Sequence, residues 1–238
     1  MKKTIAFLIY PGLTVFDLAG PLQVISSLAG IRTEFQPVVV AERREAVETD
    51  IRIRMVPDRT FDEEPHPYAL VVPGGDIPTL RAMNSPAIRR YVRSAAEGAE
   101  YVCSVCTGAL ILASVGLTQG RESPTHWAFA RVLESYGVRY VRKRWVEDGK
   151  FIFSQGVSSG IDAALALVAR MVGEDTARQV QLSLEYDPQP PLGGIDYDHK
   201  ERLIPGPMRI VIGAMSLAAP LLTAGPRRMT RQAGWKPL

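Results

Sequence analysis

The sequence predicts an α/β fold, a single-domain three-layer sandwich in which a mainly parallel sheet carries helices on both faces. Three observations point there. Thr4–Tyr10 is a continuous apolar run closed by Pro11-Gly12, the pattern of a parallel strand buried on both faces rather than the alternation of a half-exposed one. Short apolar runs recur at Phe35–Ala41, Ala69–Val72, Tyr101–Val105 and Phe151–Ser154, separated by segments with helical character, and such alternation implies a parallel sheet. The chain has 238 residues, 46% of them hydrophobic, which suits one large core.

Each element has its own signal. After the first strand, Thr14 is placed to cap a helix, and Val15, Leu18, Leu22 and Ile25 recur at helical spacing with Asp17 in the first turn; Gly20-Pro21 should kink or restart that helix. Strands follow at Phe35–Ala41, Ile51–Val56 and Ala69–Val72, the last ending in Pro73-Gly74-Gly75. Ser85 with Pro86 marks the cap and first position of another helix. Beyond the strand Tyr101–Val105, helices are expected over Gly108–Ser114, Trp127–Tyr136, Ser159–Val172 and Asp175–Leu184, with a strand around Val138–Arg144 and another at Phe151–Ser154. This core domain spans residues 1–186. Residues 187–238 form a C-terminal extension, set off by Asp187-Pro188-Gln189-Pro190-Pro191, that packs on the core or on a dimer partner; Pro205, Pro207, Pro220 and Pro226 should prevent any long unbroken helix in it. Its apolar stretch Met208–Ala224 is interrupted by Arg209 and Pro220 and falls short of the ~20 residues that span a bilayer, so it reads as a core or interface helix.

Composition narrows the function classes. The net charge of +3 is spread along the chain, and its densest cluster, Arg139–Arg144, is interleaved with apolar residues; without a helix-turn-helix or stacking aromatics it reads as a solvated face, not a nucleic-acid site. The apolar N-terminal run lacks a small-residue cleavage site and the chain has two cysteines, so the expected compartment is a reducing cytoplasm. His66, His126 and His199 stand singly, without the four-ligand spacing of structural zinc, and neither metal nor organic cofactor is expected.

The chemistry concentrates at Tyr101-Val102-Cys103-Ser104-Val105-Cys106-Thr107-Gly108-Ala109, where a strand meets a helix with Cys106 at the junction. A residue on such an elbow is presented at the carboxyl edge of the sheet, where open α/β folds bind ligands, and the helix N-terminus there should favour thiolate over thiol. The bland alternative, a small buried apolar residue, is what most lone cysteines are. Cys103, inside the strand, reads as core, and a thioredoxin-like redox pair is disfavoured because its first cysteine would begin the helix.

The strand–Cys106-Thr107-Gly108-Ala109–helix unit, preceded by Val71-Val72-Pro73-Gly74-Gly75 and followed by Thr125-His126-Trp127 and Gly156-Val157-Ser158-Ser159-Gly160-Ile161-Asp162, resembles the ThiJ/PfpI superfamily. With Phe16-Asp17-Leu18-Ala19-Gly20-Pro21 near the start, it is most similar to the isocyanide hydratase branch. The resemblance covers Lys3 to Tyr186 and implies a flavodoxin-like, glutamine amidotransferase-like fold and a homodimer. Asp17 stands where the chaperone and glyoxalase-like branches carry a glutamate, and Thr107 where the protease-like branch carries a histidine; both departures argue against those activities.

The implied reaction is hydration of an isocyanide to a formamide. Cys106 would be the nucleophile, Asp17 the acid and base, and Thr107 would orient the thiolate. Backbone N–H groups near Gly74, Gly75 and Thr107 would stabilise charge, and His126 and Trp127 would border the substrate pocket. Each assignment has a structural alternative: Asp17 as a helix-terminus charge, Gly74-Gly75 as a turn, His126 as a cap. The same motifs also resemble the sensor domain of AraC-type regulators, which leaves a stand-alone cysteine-based sensor as the rival expectation.

Overall fold

A computed structural model describes residues 2–222. Its centre is a seven-stranded sheet built from β1 (Lys3–Leu8), β2 (Phe35–Ala41), β3 (Arg59–Thr60), β4 (Ala69–Val72), β5 (Tyr101–Val105), β6 (Trp145–Asp148) and β7 (Phe151–Ser154). The spatial order is β6-β7-β5-β4-β1-β2-β3. All pairs are parallel except β6 with β7. Every residue of β4 and β7 is buried, as continuous apolar runs require when helices cover both faces.

Helices α1 (Val15–Ile31), α2 (Asp76–Ala82), α3 (Pro86–Gly98), α4 (Gly108–Ser114), α5 (Ala130–Ser135), α6 (Ser159–Val172), α7 (Glu174–Ser183) and α8 (Gly206–Leu222) complete the three layers. α1, α6 and α7 pack together on one side, and α2 to α5 with α8 on the other. The order reverses at β1: the chain moves outward to β2, then crosses back to β4, β5 and β7. Loops leaving β1, β4, β5 and β7 therefore converge at one edge, where such sheets open a crevice.

Several expectations need correction. α1 runs unbroken through Gly20-Pro21. The bare backbone of Gly20 and the flat ring of Pro21 meet α6 closely: a Cβ at Gly20 would lie 3.0 Å from Ile161 Cγ1, and one at Gly160 would lie 3.1 Å from Pro21 Cγ and from Val105 Cγ1. This close crossing carries the helix past the N–H that proline lacks. The buried face is Asp17, Leu18, Pro21, Val24, Ile25 and Leu28, rotated from the predicted stripe so that Asp17 points inward. Thr14 sits at the cap but makes no side-chain bond; the Val15 N–H donates instead to Asp50 Oδ1 at 3.0 Å.

Ile51–Val56 does not join the sheet. Only Arg54–Met55 is extended, in a ribbon with Val47–Glu48, and Ile51, Ile53 and Val56 are exposed. The strand expected around Val138–Arg144 shrinks to Arg139–Tyr140, paired with Glu122–Ser123. The Trp127–Tyr136 helix starts as a 3₁₀ turn over Trp127–Phe129. In the tail, α8 runs unbroken from Gly206 to Leu222, against the expected proline breaks: Pro205 and Pro207 sit at its start, where a missing N–H has no intrahelical partner to lose, and Pro220 falls in its last turn. Residues beyond Leu222, including Pro226 and the end of the Met208–Ala224 stretch, lie outside the described residues. Among the described residues no helix is long and apolar enough to cross a membrane.

The α1–α6 crossing gives a stability test. Gly160→Val should destabilise the protein by about 1–3 kcal/mol, the usual cost of overpacking, read as a lower urea midpoint at unchanged slope. Native stability would mean that the contact is looser than its geometry.

Candidate active site

The site is built from the four converging loops. β5 ends at Val105, and Cys106 turns the chain with φ 56°, a left-handed conformation that costs a non-glycine residue of order 1–3 kcal/mol and persists only where its surroundings enforce it. Here they do. The Cys106 N–H donates to the Ser154 carbonyl at 3.2 Å, and its own carbonyl accepts the Thr125 hydroxyl at 2.9 Å. Behind the elbow, a Cβ at Gly108 would sit 2.0 Å from the Val72 carbonyl oxygen, so only glycine lets β4 pass so close.

Asp17 comes from α1, fully buried. The Gly74 N–H donates to its Oδ2 at 3.1 Å, while Oδ1 is buried with no partner in hydrogen-bonding geometry. The Gly75 N–H donates to Thr107 Oγ1 at 3.0 Å, and Thr107 Oγ1 shares a 2.7 Å hydrogen bond with Thr79 Oγ1. The Tyr10 hydroxyl reaches both the Pro73 carbonyl, at 3.0 Å, and Thr79 Oγ1, at 3.1 Å. The Gly74 carbonyl accepts the Thr14 N–H at 2.9 Å. The loop after β4 thus clamps α1 to the elbow, bringing Asp17, Gly74, Gly75, Cys106 and Thr107 into one buried cluster.

This geometry changes three assignments. The N–H groups of Gly74 and Gly75 are occupied by Asp17 and Thr107, so they hold the site rather than face a developing anion. The Thr107 hydroxyl is turned to Thr79 and Gly75, and it is the Thr107 backbone N–H that favours the sulfur's charge. Nor is the thiol activated by its helix. Burial, then the negative charges of Asp17 and Asp76, push Cys106 well above the ordinary thiol range. α4 is only seven residues long, and its N-terminal dipole is a modest influence beside complete desolvation. Burial also raises Asp17, to about 7, against the opposing hydrogen bonds from the Cys106 thiol and the Gly74 N–H. Cys106 and Asp17 are thus two acids that share one dry space, both holding protons more tightly than in water.

Beyond the cluster lies a pocket of about 300 Å³ bordered by Phe16, His126, Trp127, Gly156, Ile195 and Tyr197, among others. Its link to the thiol is Gly156, where a Cβ would be 3.7 Å from both Cys106 Sγ and His126 Cδ2. His126 caps the 3₁₀ turn, its Nδ1 accepting the Ala128 N–H at 3.4 Å, and burial holds its pKa below the usual range. Cys106 itself lines none of these cavities; larger ones near Glu42–Arg43 and beside α8 also lack Gly156, the lining residue that lies next to the thiol. Cys103, also free and buried, is pushed up to about 12 by burial. Among the described residues no group of three His, Cys, Asp or Glu side chains is placed to hold a metal.

Thr79, Tyr10 and Thr125 were not read from sequence as site residues. Thr79 lies on α2, whose Pro78 hid a short helix; Tyr10 closed a strand of apolar residues and looked like core. Thr125 belongs to the Thr-His-Trp motif, which was the available signal.

The buried carboxyl makes a prediction with a definite sign. Unfolded, Asp17 titrates near 4; folded, near 7. Between these values the folded state binds more protons, so this group costs stability as pH rises. Asp17→Asn should therefore be more stable than the native chain at pH 8, by up to about 4 kcal/mol, with the difference fading towards pH 4 in urea titrations. It should also lower the pH midpoint of Cys106 alkylation, since a neighbouring negative charge is removed. A less stable variant at pH 8, or an unmoved midpoint, would contradict the electrostatic reading.

Comparison with known proteins agrees with this architecture. Residues 3–170 match the DJ-1/PfpI family model. The chain is 36% identical over 223 residues to an isonitrile hydratase of Pseudomonas putida, covering 93% of this chain and 92% of that one. A crystal structure of a ThiJ/PfpI family protein from Pseudomonas syringae superposes with TM-score 0.81 at 30% identity, covering 94% and 91% of the two chains. Drosophila melanogaster DJ-1beta superposes with TM-score 0.71 at 20% identity over 79% of this chain and all of that one, a likeness of fold. The chain belongs to the DJ-1/PfpI family.

Proposed function

We propose that this chain hydrates isocyanides, R–NC, to N-substituted formamides, R–NH–CHO. The observation that carries the reading is the buried pair itself: a thiol on a strained elbow facing a carboxyl to which it hydrogen-bonds, and whose only other donor is the Gly74 N–H on Oδ2 among the described residues. The likeness to an isonitrile hydratase along nearly the whole chain supports the substrate class.

Asp17 takes the thiol proton as Cys106 Sγ bonds to the terminal isocyanide carbon. It then delivers that proton to the same carbon, giving a thioimidate, R–N=CH–S–Cys106. One difficult hydration is thereby split into two easier steps. Asp17, again a carboxylate, draws a proton from water as the water oxygen adds to the thioimidate carbon, and passes that proton to the nitrogen, giving R–NH–CH(OH)–S–Cys106. The C–S bond then breaks as the added hydroxyl becomes the formamide carbonyl, its proton returns to the sulfur by way of Asp17, and the formamide leaves. A carboxyl held near 7 can both give and accept protons at neutral pH. The high thiol pKa is no obstacle in this scheme, because the proton leaves for an adjacent base as the S–C bond forms. Neither metal nor organic cofactor enters the sequence.

The same electrostatics weigh against the sensor reading, since thiols that oxidise readily are exposed and low in pKa, whereas Cys106 is 1% exposed and raised. We place the enzyme in a reducing cytoplasm, which suits two free cysteines. We also read it as a homodimer, which the exposed apolar residues of α8, Ile210 and Leu217 among them, support.

Purified protein given an aromatic isocyanide should produce the formamide, followed by its absorbance. Cys106→Ala should abolish turnover, and Asp17→Asn should lose about 10²-fold or more, the scale of a general acid–base group. Near-native hydration by either variant would remove its assigned role.

A further inference from the structure

We infer that the C-terminal segment from Gly194 to Lys200 forms the outer wall of the substrate pocket, and that Ile195 and Tyr197 on it select the substituent R. The inference rests on the proposed hydration for the identity of the substrate, but not for the geometry of the wall.

The pocket begins at Gly156, beside the thiol, and runs outward between Phe16, His126 and Trp127 of the core and Ile195 and Tyr197 of the tail. An otherwise exposed segment is fastened here. The Gln155 side chain donates to the Tyr197 hydroxyl at 3.1 Å, from the residue directly before Gly156. The Arg142 guanidinium lies 5.3 Å over the Tyr197 ring and pairs with Asp198 at 3.0 Å. Lys200 Nζ donates to the Tyr197 carbonyl at 3.2 Å. Stacking over the ring, hydrogen bonding at its hydroxyl and a bond at its carbonyl hold Tyr197 in one orientation at the pocket rim.

A second observation concerns what the wall would bind. Phe16 is 46% exposed and Ile195 68% exposed, and both border this one pocket, the first from α1 and the second from the tail. Large apolar side chains left wet around a concavity whose inner wall, at Gly156, lies against the buried thiol are surface that an apolar ligand would cover. Arg144, which also lines the pocket, is paired with Asp162, its Nε donating to Oδ2 at 2.7 Å, so among the described lining residues no arginine or lysine is left unpaired for an anionic substituent. A volume of about 300 Å³ lies at the small end of ligand pockets. The fit is a neutral, apolar substituent on the scale of a single ring, its isocyanide carbon directed at Cys106.

The test uses the full chain and the variants Tyr197→Ala, Ile195→Trp and Leu192→Ala, the last altering a tail residue that is 96% exposed and borders no part of the pocket. One readout needs no turnover: the relative rates at which iodoacetamide and the bulkier N-benzylmaleimide label Cys106, mapped by tandem mass spectrometry. Tyr197→Ala should move the ratio about tenfold towards the bulky reagent and Ile195→Trp should move it the other way, with Leu192→Ala at the native ratio. The second readout is kcat/KM for methyl and benzyl isocyanide. Tyr197→Ala should change the benzyl-to-methyl preference about tenfold, the order that one apolar contact contributes to discrimination. The change should appear in KM rather than kcat, as for contacts made equally in ground and transition states. If wild type hydrates neither isocyanide, the proposed reaction fails and the labelling ratios alone decide the wall. If Tyr197→Ala and Ile195→Trp both keep the native labelling ratio, the wall is overturned whatever the hydration result.

Discussion

Taking the Asp17 carboxyl out of water costs more than the polar contacts around it return, and much of the site's design answers to that cost. One backbone N–H, from Gly74, is given to Oδ2, and the weak donor of the Cys106 thiol is the other contact; no backbone group or other side chain of the described residues reaches Oδ1 in hydrogen-bonding geometry. A carboxylate in such a place has its pKa driven up by desolvation, here to about 7. The neighbouring thiol, facing that partial charge and equally cut off from water, is driven up as well. An isolated thiol so raised would be inert. Beside an acid poised at neutrality it becomes half of a proton-transfer pair, and a proton can move between sulfur, carboxyl and substrate carbon without crossing solvent.

The rest of the fold serves to hold those two groups together from distant parts of the sequence. Asp17 is carried inward because α1 lies flat against α6 at Gly20-Pro21 and Gly160-Ile161, with near-contact distances of 3.0–3.1 Å for any added Cβ. Cys106 is held in its strained turn by Ser154 from β7 and by Thr125. Between them, Tyr10, Thr79 and Thr107 form a chain of hydroxyls whose members are all buried, so that Gly74 and Gly75 present their N–H groups inward. Satisfied buried networks of this kind fix one arrangement, because any slip would leave polar groups unpaired.

Much of this was legible beforehand, because buried parallel strands announce themselves. β2, β4, β5 and β7, and helices α4 and α6, begin and end where the apolar runs and glycines placed them. The cysteine elbow could be read from the meeting of a strand pattern with a helix pattern. What periodicity could not supply was rotation and distance. The apolar stripe of α1 reads as Val15, Leu18, Leu22 and Ile25; Leu18 and Ile25 are buried, but Val15 and Leu22 are only partly so, and the helix, packed on α6 through Gly20-Pro21, turns Asp17 inward. Ile51–Val56 has the composition of a strand, yet its isoleucines are exposed because the sheet edge beyond β2 is taken by the two residues Arg59–Thr60. The charge state of Cys106 was misread for a related reason: a helix N-terminus is visible in sequence, whereas the depth of burial that outweighs it is a property of the packed molecule. The tail's contribution to the pocket was hidden too, since Ile195 and Tyr197 sit among prolines, glycines and charges that carry no periodic signal.

The central claim is that Cys106 bonds covalently to substrate carbon while Asp17 manages the proton. Mixing the protein with an isocyanide in excess, quenching in acid within the first turnovers and sequencing the labelled peptide by mass spectrometry tests this directly. The account predicts an added mass equal to one substrate molecule on Cys106, with Cys103 unmodified, appearing and decaying in step with formamide release. Turnover with no adduct on Cys106 at any quench time, or an adduct confined to Cys103, would contradict it.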